Sequence, residues 1–123
     1  MEFRYRDDQL LVRDTVREFA RSRIAPNADA WSEAGEFPVG LLPELASLGL
    51  TGLAVPQELG GAGLDTLTIA MVMEELGAAD GSVALTLAAH NSLCIGHVLV
   101  GASKEQKRRR GRVRYTVSCA RRG

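Results

Sequence analysis

Apolar residues recur at three- and four-residue intervals along most of the chain, and this pattern predicts a series of amphipathic helices. A first helix is predicted from Asp7 or Asp8, either of which can cap it, to about Ile24. A short second helix over residues 27–34 and a third over residues 39–48 follow. The first third of the chain is therefore expected to be helical.

The stretch Leu48–Leu76 joins the third helix to a fourth through a glycine-rich loop. Gly49 stands where a glycine commonly ends a helix. The apolar run Leu50–Val55 is too short for a helix and predicts a buried extended segment. The loop Gly60–Gly63 lacks the lysine and the spacing of phosphate-binding loops, so we interpret it as a structural turn.

Two long apolar helices are predicted after this loop. The fourth helix, over residues 65–77, is apolar on most sides and is expected to be central and buried. The fifth, over residues 82–100, begins at a cap formed by Asp80 or Ser82. The stretch Ser103–Gln106 has the spacing of a capping box for a sixth helix. The sequence thus predicts an all-α fold.

Charged side chains on the helices are interpreted as solvated. Arg13, Arg17 and Arg21 form a row that we expect on the exposed side of the first helix. Glu74 and Glu75 are adjacent, and neighbours in a helix point apart, so they do not form a catalytic carboxylate pair.

Composition supports one modest domain in a reducing compartment. The 123 residues are 46% hydrophobic but only 5% aromatic, so the core is built from aliphatic side chains. Cys94 and Cys119 are too few for a disulfide scaffold, and the charged N-terminus has no signal-peptide pattern. We expect a cytoplasmic protein. Residues 83–100, the longest apolar run, are interrupted by polar residues, so no membrane association is predicted.

Charge is unevenly distributed. Residues 1–103 carry 14 acidic and 6 basic side chains, a net charge of −8, whereas residues 104–123 carry 1 acidic and 9 basic side chains, a net charge of +8. A basic tail can bind nucleic acid or an acidic partner by charge alone. It matches no nucleic-acid-binding module. A small helical interaction module with such a tail is the alternative function, although nucleic acid is the less favoured partner.

His90, Cys94 and His97 lie at i, i+4 and i+7, a spacing that can supply three ligands to zinc. No fourth ligand is identifiable and the surroundings are apolar, where cysteine is commonly buried. A cysteine–histidine nucleophile would also need an orienting third group. We therefore favour helix packing and assign no metal site.

The order of these features resembles the N-terminal helical domain of the acyl-CoA dehydrogenase family. The resemblance rests on an LGL-x-G segment, an apolar run, a proline, an acidic residue, GG-x-G and EELG. It continues through Asp80-Gly-Ser-Val, His90-Asn-Ser-Leu and Glu105-Gln-Lys, and covers about residues 6–108. It implies an orthogonal bundle of about five to six helices, with the domain at residues 1–107.

The resemblance also implies a function. The family consists of oxidoreductases of fatty acid metabolism, flavoproteins that use FAD to oxidise acyl-CoA thioesters at the α,β carbons. They pass electrons to an electron-transfer flavoprotein and form homo-oligomers. The base is a glutamate of the C-terminal domain, and the hydride goes to FAD. We therefore assign no catalytic or cofactor-binding residue here, and expect neither activity nor stable FAD binding from this chain alone.

In the family, the helix that matches residues 82–100 lines part of the acyl-chain cavity. The match at Asn91-Ser92-Leu93 places Leu85, Ala89 and Leu93 on the cavity side, at i, i+4 and i+8 of one helical face. Ordinary core packing is the alternative role for these residues. The resemblance leaves the length of the acyl chain open.

The family pattern ends after Lys107. The family continues the sixth helix with apolar residues, whereas this chain reads RRRGRVRYTVSCARRG. We interpret residues 108–123 as a basic tail outside the family pattern and expect it to be disordered. A shift of reading frame would account for both the charge and the lost helical pattern, and would make the chain a truncated family member.

Overall fold

The computed structural model describes residues 4–112, with side chains described as far as Arg109. These residues contain helices and turns and no strand, which confirms the all-α fold class. In chain order the helices are α1 Asp7–Phe19, α2 Ala28–Ala34, α3 Leu42–Ser47, α4 Thr66–Ala79, α5 Gly81–Ala88, α6 Gly96–Gly101 and α7 Lys104–Arg112.

Several of these helices are extended by tighter or wider turns. A π-helical turn, Ala20–Ile24, and a 3₁₀ turn, Ala25–Asn27, continue α1 towards α2. A π-helical segment, Ala89–Ile95, joins α5 to α6, so that Gly81–Gly101 forms one continuous helix. Short 3₁₀ turns also occur at Val39–Leu41 and Gln57–Leu59.

The described residues divide into two compact units. The first contains the chain up to Phe37 together with Thr66–Ala84, and α1 packs on α4 within it. The second contains Pro38–Asp65 and the chain from Leu85 onward. The buried apolar side chains of the first unit are Val16, Ala20, Ile24, Met71, Val72, Leu76 and Val83. Those of the second unit are Leu41, Leu42, Leu45, Leu50, Leu53, Val55, Leu87 and Ile95.

Local capping signals predicted three helix boundaries correctly. At two of these boundaries a side chain forms the cap. The amide of Val83 donates to the Asp80 carboxylate at 2.9 Å, which caps α5. At the start of α7 the Ser103 amide donates to Gln106 Oε1, and the Gln106 amide donates to Ser103 Oγ. This is the expected capping box.

The third boundary is the end of α3, which Gly49 forms as predicted. Its φ of 76° lies in the left-handed region that favours glycine. Its amide donates to the Ala46 carbonyl, and the Leu50 amide donates to the Leu45 carbonyl, both at 3.0 Å. These two bonds form a Schellman motif, which satisfies carbonyl groups at the helix end.

Four expectations about these elements are wrong. Helix α1 begins at Asp7 after an N-cap at Arg6, so neither Asp7 nor Asp8 is the cap; Gln9 reaches back to the Arg6 amide instead.

Residues 50–55 form consecutive turns rather than an extended segment, although most of them are buried as expected. Helix α4 buries one side only, since Leu67 is 50% exposed.

The fourth expectation concerned the end of α7. The loss of apolar residues after Lys107 predicted that the helix fails there, but α7 continues to Arg112. The capping box at its start and the good helix propensity of lysine, arginine and glutamine favour this continuation. The predicted disorder of the remaining tail, from residue 113 to residue 123, falls outside the described residues.

Candidate functional site

The residues predicted to line a cavity lie on the Gly81–Gly101 helix. Leu85 belongs to α5, whereas Ala89 and Leu93 belong to the π-helical segment. Leu85 is 71% exposed and Leu93 is 66% exposed, and Ala89 is half-buried. Ordinary burial in the core of this chain therefore does not account for the two leucines. The prediction that all three share a face assumed α-helical spacing, and the π-helical winding between Ala89 and Leu93 changes that spacing.

The opposite side of this helix is buried in the second unit. Leu87 and Ile95 are almost fully buried, and Asn91 between them is also buried. The helix is thus apolar on both its buried and its exposed sides. This pattern is typical of a helix whose exposed side is covered by something else.

Asn91 anchors the helix to the turns at residues 50–53. Its side-chain oxygen accepts a hydrogen bond from the Leu53 amide at 2.9 Å. Its side-chain nitrogen donates to the carbonyl oxygens of Leu50, at 2.9 Å, and Leu87, at 3.0 Å. Because residues 50–55 form neither helix nor strand, these bonds satisfy main-chain groups that would otherwise be buried without partners.

Other polar side chains of the helix also bond main-chain carbonyls. His90 Nε2 lies 3.1 Å from the Thr51 carbonyl oxygen. The Ser92 hydroxyl donates to the Ala88 carbonyl, and His97 Nδ1 bonds the Leu93 carbonyl. Among the described residues no group of three His, Cys, Asp or Glu side chains is arranged to hold a metal ion. His90, Cys94 and His97 are thus not brought together as zinc ligands, despite their spacing.

The glycine loop is held by its own main chain. Five consecutive amides, from Gly60 to Leu64, each donate to a main-chain carbonyl between Gly52 and Gln57. Gly61 approaches the preceding turns so closely that a Cβ atom there would lie 2.2 Å from the Val55 carbonyl oxygen. Since these amides are already used, none of the five is available to bind a phosphate group, and the loop is structural.

The Gly81–Gly101 helix is slightly longer than the predicted helix over residues 82–100. It has 21 residues and reaches a mean hydropathy of 1.6, so by length and composition it could cross a membrane. By these two criteria the polar residues that interrupt residues 83–100 do not exclude a membrane span, contrary to the expectation from the sequence. Within this chain 22% of that apolar stretch is buried, and Leu85, Leu93 and Val100 are exposed. The absence of membrane association remains a prediction.

The basic residues of α7 provide the other candidate surface. Lys104, Arg108 and Arg109 are exposed, and α7 packs near the 3₁₀ turn Gln57–Leu59. The acidic Glu58 lies in that turn. This surface is positively charged, but it has no aromatic side chain among the described residues of α7 on which a base could stack.

The sequence pattern did not reveal two sets of residues. Asn91 was interpreted only as a polar interruption of the apolar run and as part of the family pattern, and its role depends on turns about 40 residues earlier in the chain. Arg17 and Glu75 were both interpreted as solvated, yet they form an ion pair across 58 positions. The available signal for Asn91 was its position four residues from both Leu87 and Ile95, on an apolar helical face where a polar side chain must find partners.

Comparison with known proteins identifies the fold. The family model of the acyl-CoA dehydrogenase N-terminal domain matches residues 6–110. A probable acyl-CoA dehydrogenase of Bacillus subtilis, YngJ, is 39% identical over 107 residues, which cover 87% of this chain and 28% of the relative.

Solved structures agree with this match. Butyryl-CoA dehydrogenase from Megasphaera elsdenii aligns with a TM-score of 0.80 and 31% identity, over 89% of this chain and 29% of that chain. A glutaryl-CoA dehydrogenase from Mycobacterium smegmatis, in complex with FADH2, aligns with a TM-score of 0.83 and 26% identity, over 90% of this chain and 28% of that chain. This chain therefore spans between a quarter and a third of these relatives, and it belongs to the acyl-CoA dehydrogenase family, with the family's N-terminal domain at residues 6–110.

Proposed function

We propose that this domain lines part of the acyl-chain cavity in an FAD-dependent acyl-CoA dehydrogenase. Leu85, Ala89 and Leu93 supply the lining residues. The reaction is the α,β-dehydrogenation of an acyl-CoA thioester, with electrons passed to an electron-transfer flavoprotein. The lining residues contact the substrate chain without taking part in bond making, so they act on substrate preference.

The exposure of the two leucines carries this proposal. Leu85 and Leu93 are 71% and 66% exposed on a helix that has no Asp, Glu, Lys or Arg between Gly81 and Gly101. A large exposed apolar surface on a folded domain marks a binding surface. Pockets for acyl chains are concave and lined by apolar side chains, which this helix offers.

FAD is the cofactor of the family. Because free main-chain amides of a glycine-rich loop can bind phosphate, the glycine loop is the first candidate contact for the FAD pyrophosphate. The amides from Gly60 to Leu64 are all bonded internally. This loop therefore does not fit the pyrophosphate of FAD, and we assign no FAD contact to the described residues. We expect residues 1–123 alone to show neither stable FAD binding nor dehydrogenase activity, which absorbance of the purified chain at flavin wavelengths checks.

A chimera tests the lining role. Residues 6–110 of this chain replace the matching domain of Megasphaera elsdenii butyryl-CoA dehydrogenase, and Leu93→Ala is introduced into that chimera. Shortening a lining side chain makes room for a longer acyl chain. We expect the ratio of kcat/KM for octanoyl-CoA over butyryl-CoA to rise at least about tenfold, the lower end of the effect of one methylene group in an apolar pocket.

Leu11→Ala is the matched control in the same chimera. Leu11 is 69% exposed, close to the exposure of Leu93, but it lies on α1. The control should leave the octanoyl-to-butyryl ratio unchanged. Equal ratios for the two variants would refute the assignment of Leu93 to the cavity lining.

A second candidate function rests on the exposed basic side chains of α7. Lys104, Arg108 and Arg109 can bind a nucleic acid or an acidic protein through charge. Binding of this kind weakens steeply as salt is raised, and deletion of residues 108–123 should abolish it. Titration of the 123-residue chain against duplex DNA and RNA at two salt concentrations measures it; salt-independent binding or none removes this candidate.

A further inference from the structure

The Gly81–Gly101 helix is not α-helical throughout, and its winding affects the direction in which the proposed lining residue Leu93 leaves the helix. From Ala89 to Ile95 the helix is π-helical, and the Gly96 amide donates to the Asn91 carbonyl five residues earlier. A π-helical turn accommodates extra residues and is rare, so it persists only where other contacts stabilise it; such turns occur frequently at functional sites. The segment contains Leu93.

Asn91 supplies those contacts. Its side chain is buried, and its oxygen and nitrogen together make three hydrogen bonds. Two of them, to Leu53 and Leu50, connect the π-helical segment to a different part of the chain. The third, to the Leu87 carbonyl, bonds the helix one turn back. A carboxamide used in this way fixes both the rotation and the position of the helix against the turns.

Two neighbouring polar side chains also bond main-chain carbonyls. Ser92 bonds only the Ala88 carbonyl of its own helix. His90 Nε2 contacts the Thr51 carbonyl through a half-buried ring. Asn91 makes two hydrogen bonds from the π-helical segment to the turns at residues 50–53, so its loss would free the segment to rewind as an α-helix.

We infer that Asn91 is a positioning residue, which holds the π-helical segment and so sets the direction in which Leu93 leaves the helix. Rewinding to α-helix would advance Leu93 by about 100° around the axis, the rotation of one residue in an α-helix. Leu93 would then take the half-buried position that Cys94 has now. Leu85 precedes the segment and would not move. The inference rests on the proposed function only in assigning Leu93 to the cavity lining. The direction in which Leu93 leaves the helix is a property of this chain alone.

Methyl NMR of the 123-residue chain tests the inference. A soluble paramagnetic gadolinium chelate broadens leucine methyl signals according to their exposure. The two test variants are Asn91→Leu, which removes all three hydrogen bonds and keeps the number of side-chain heavy atoms, and Asn91→Asp, which keeps an acceptor for the Leu53 amide and loses both donors. In both variants we expect the paramagnetic broadening of Leu93 to fall to about half, because a rotation of about 100° moves it to a half-buried position. The broadening of Leu85 should stay unchanged.

Ser92→Ala is the matched control, since its hydroxyl bonds the same helix but not the turns. It should leave both leucines as they are. Unchanged broadening of Leu93 in the Asn91 variants, or the same change in Ser92→Ala, would overturn the inference. Loss of the helical far-ultraviolet circular dichroism in both Asn91 variants would also overturn it, because a positioning residue leaves the fold in place. The chain-length preference of the chimera tests the lining role separately, so failure of either proposal is recognisable.

Discussion

Arg17 on α1 and Glu75 on α4 form an ion pair with two hydrogen bonds. Arg17 Nε donates to Glu75 Oε2 at 2.9 Å, and Nη2 donates to Oε1 at 2.6 Å. The Glu75 side chain is 15% exposed and the Arg17 side chain is 35% exposed. The pair therefore joins two helices, α1 and α4, that pack together in the first unit. Neither residue belongs to the proposed cavity lining.

The first prediction concerns the strength of this pair. Glu75→Gln removes the charge but keeps the size of the side chain, and we expect it to lower the free energy of unfolding by about 1 kcal/mol, since hydrogen bonds to charged groups are worth more than neutral ones but solvent screens the exposed part. Glu74→Gln is the matched control, because Glu74 is adjacent and exposed, whereas both hydrogen bonds from Arg17 go to Glu75. Urea unfolding followed by circular dichroism measures both. Equal losses in the two variants would show that the pair contributes nothing specific.

The second prediction is a dependence on pH. The hydrogen bonds from Arg17 lower the pKa of Glu75, more than burial raises it. A carboxyl whose pKa is lower in the folded state stabilises that state above the unfolded pKa, which for glutamate is about 4.3. This stabilisation is lost as the pH falls through the folded pKa. The difference in unfolding free energy between the unsubstituted chain and Glu75→Gln should therefore be largest near neutral pH.

Acid titration checks this sign. We expect the difference to shrink steadily once the pH falls below about 4, as the unfolded carboxyl and then the folded one become protonated. A difference that grew towards low pH would mean that Glu75 is destabilising when charged. That result would contradict the ion pair.

The third prediction concerns the glycine loop. Gly61→Ala would place a Cβ atom 2.2 Å from both the Val55 Cβ atom and the Val55 carbonyl oxygen. Main-chain atoms cannot move away without breaking the loop, so we expect a loss of about 2–3 kcal/mol, the usual effect of forcing extra atoms into a packed site. Gly40→Ala is the control, since a Cβ atom at that position would have no neighbouring atom within 4 Å. Thermal unfolding measures both variants, and equal stability of the two would contradict the close approach at Gly61.

The sequence predicted local features well because their causes are local. Asp80, Ser103 and Gln106 cap helices through residues three positions away, so spacing alone is sufficient. Gly49 at the end of α3 is similar, since only glycine readily adopts its positive φ. The order of such signals also carried the family resemblance.

Features that depend on distant contacts could not be predicted in this way. The Arg17–Glu75 pair joins residues 58 positions apart, so helical periodicity placed both in solvent. The short apolar run at residues 50–55 predicted an extended segment. These residues form turns instead, because Asn91 and the glycine loop stabilise the turns, and no local pattern shows those contacts. The same holds for the π-helical segment, where helical spacing assigned Leu93 to a face that the actual winding alters.

The activity of the chimera tests the central claim most directly. The claim is that residues 6–110 serve as the N-terminal domain of an acyl-CoA dehydrogenase. In the Megasphaera elsdenii butyryl-CoA dehydrogenase that carries these residues, we expect bound FAD to be retained and its absorbance to be bleached by butyryl-CoA without oxygen. The same enzyme lacking the domain is the control. A folded chimera that binds FAD but is not reduced by any acyl-CoA, from butyryl to octanoyl, would contradict the claim.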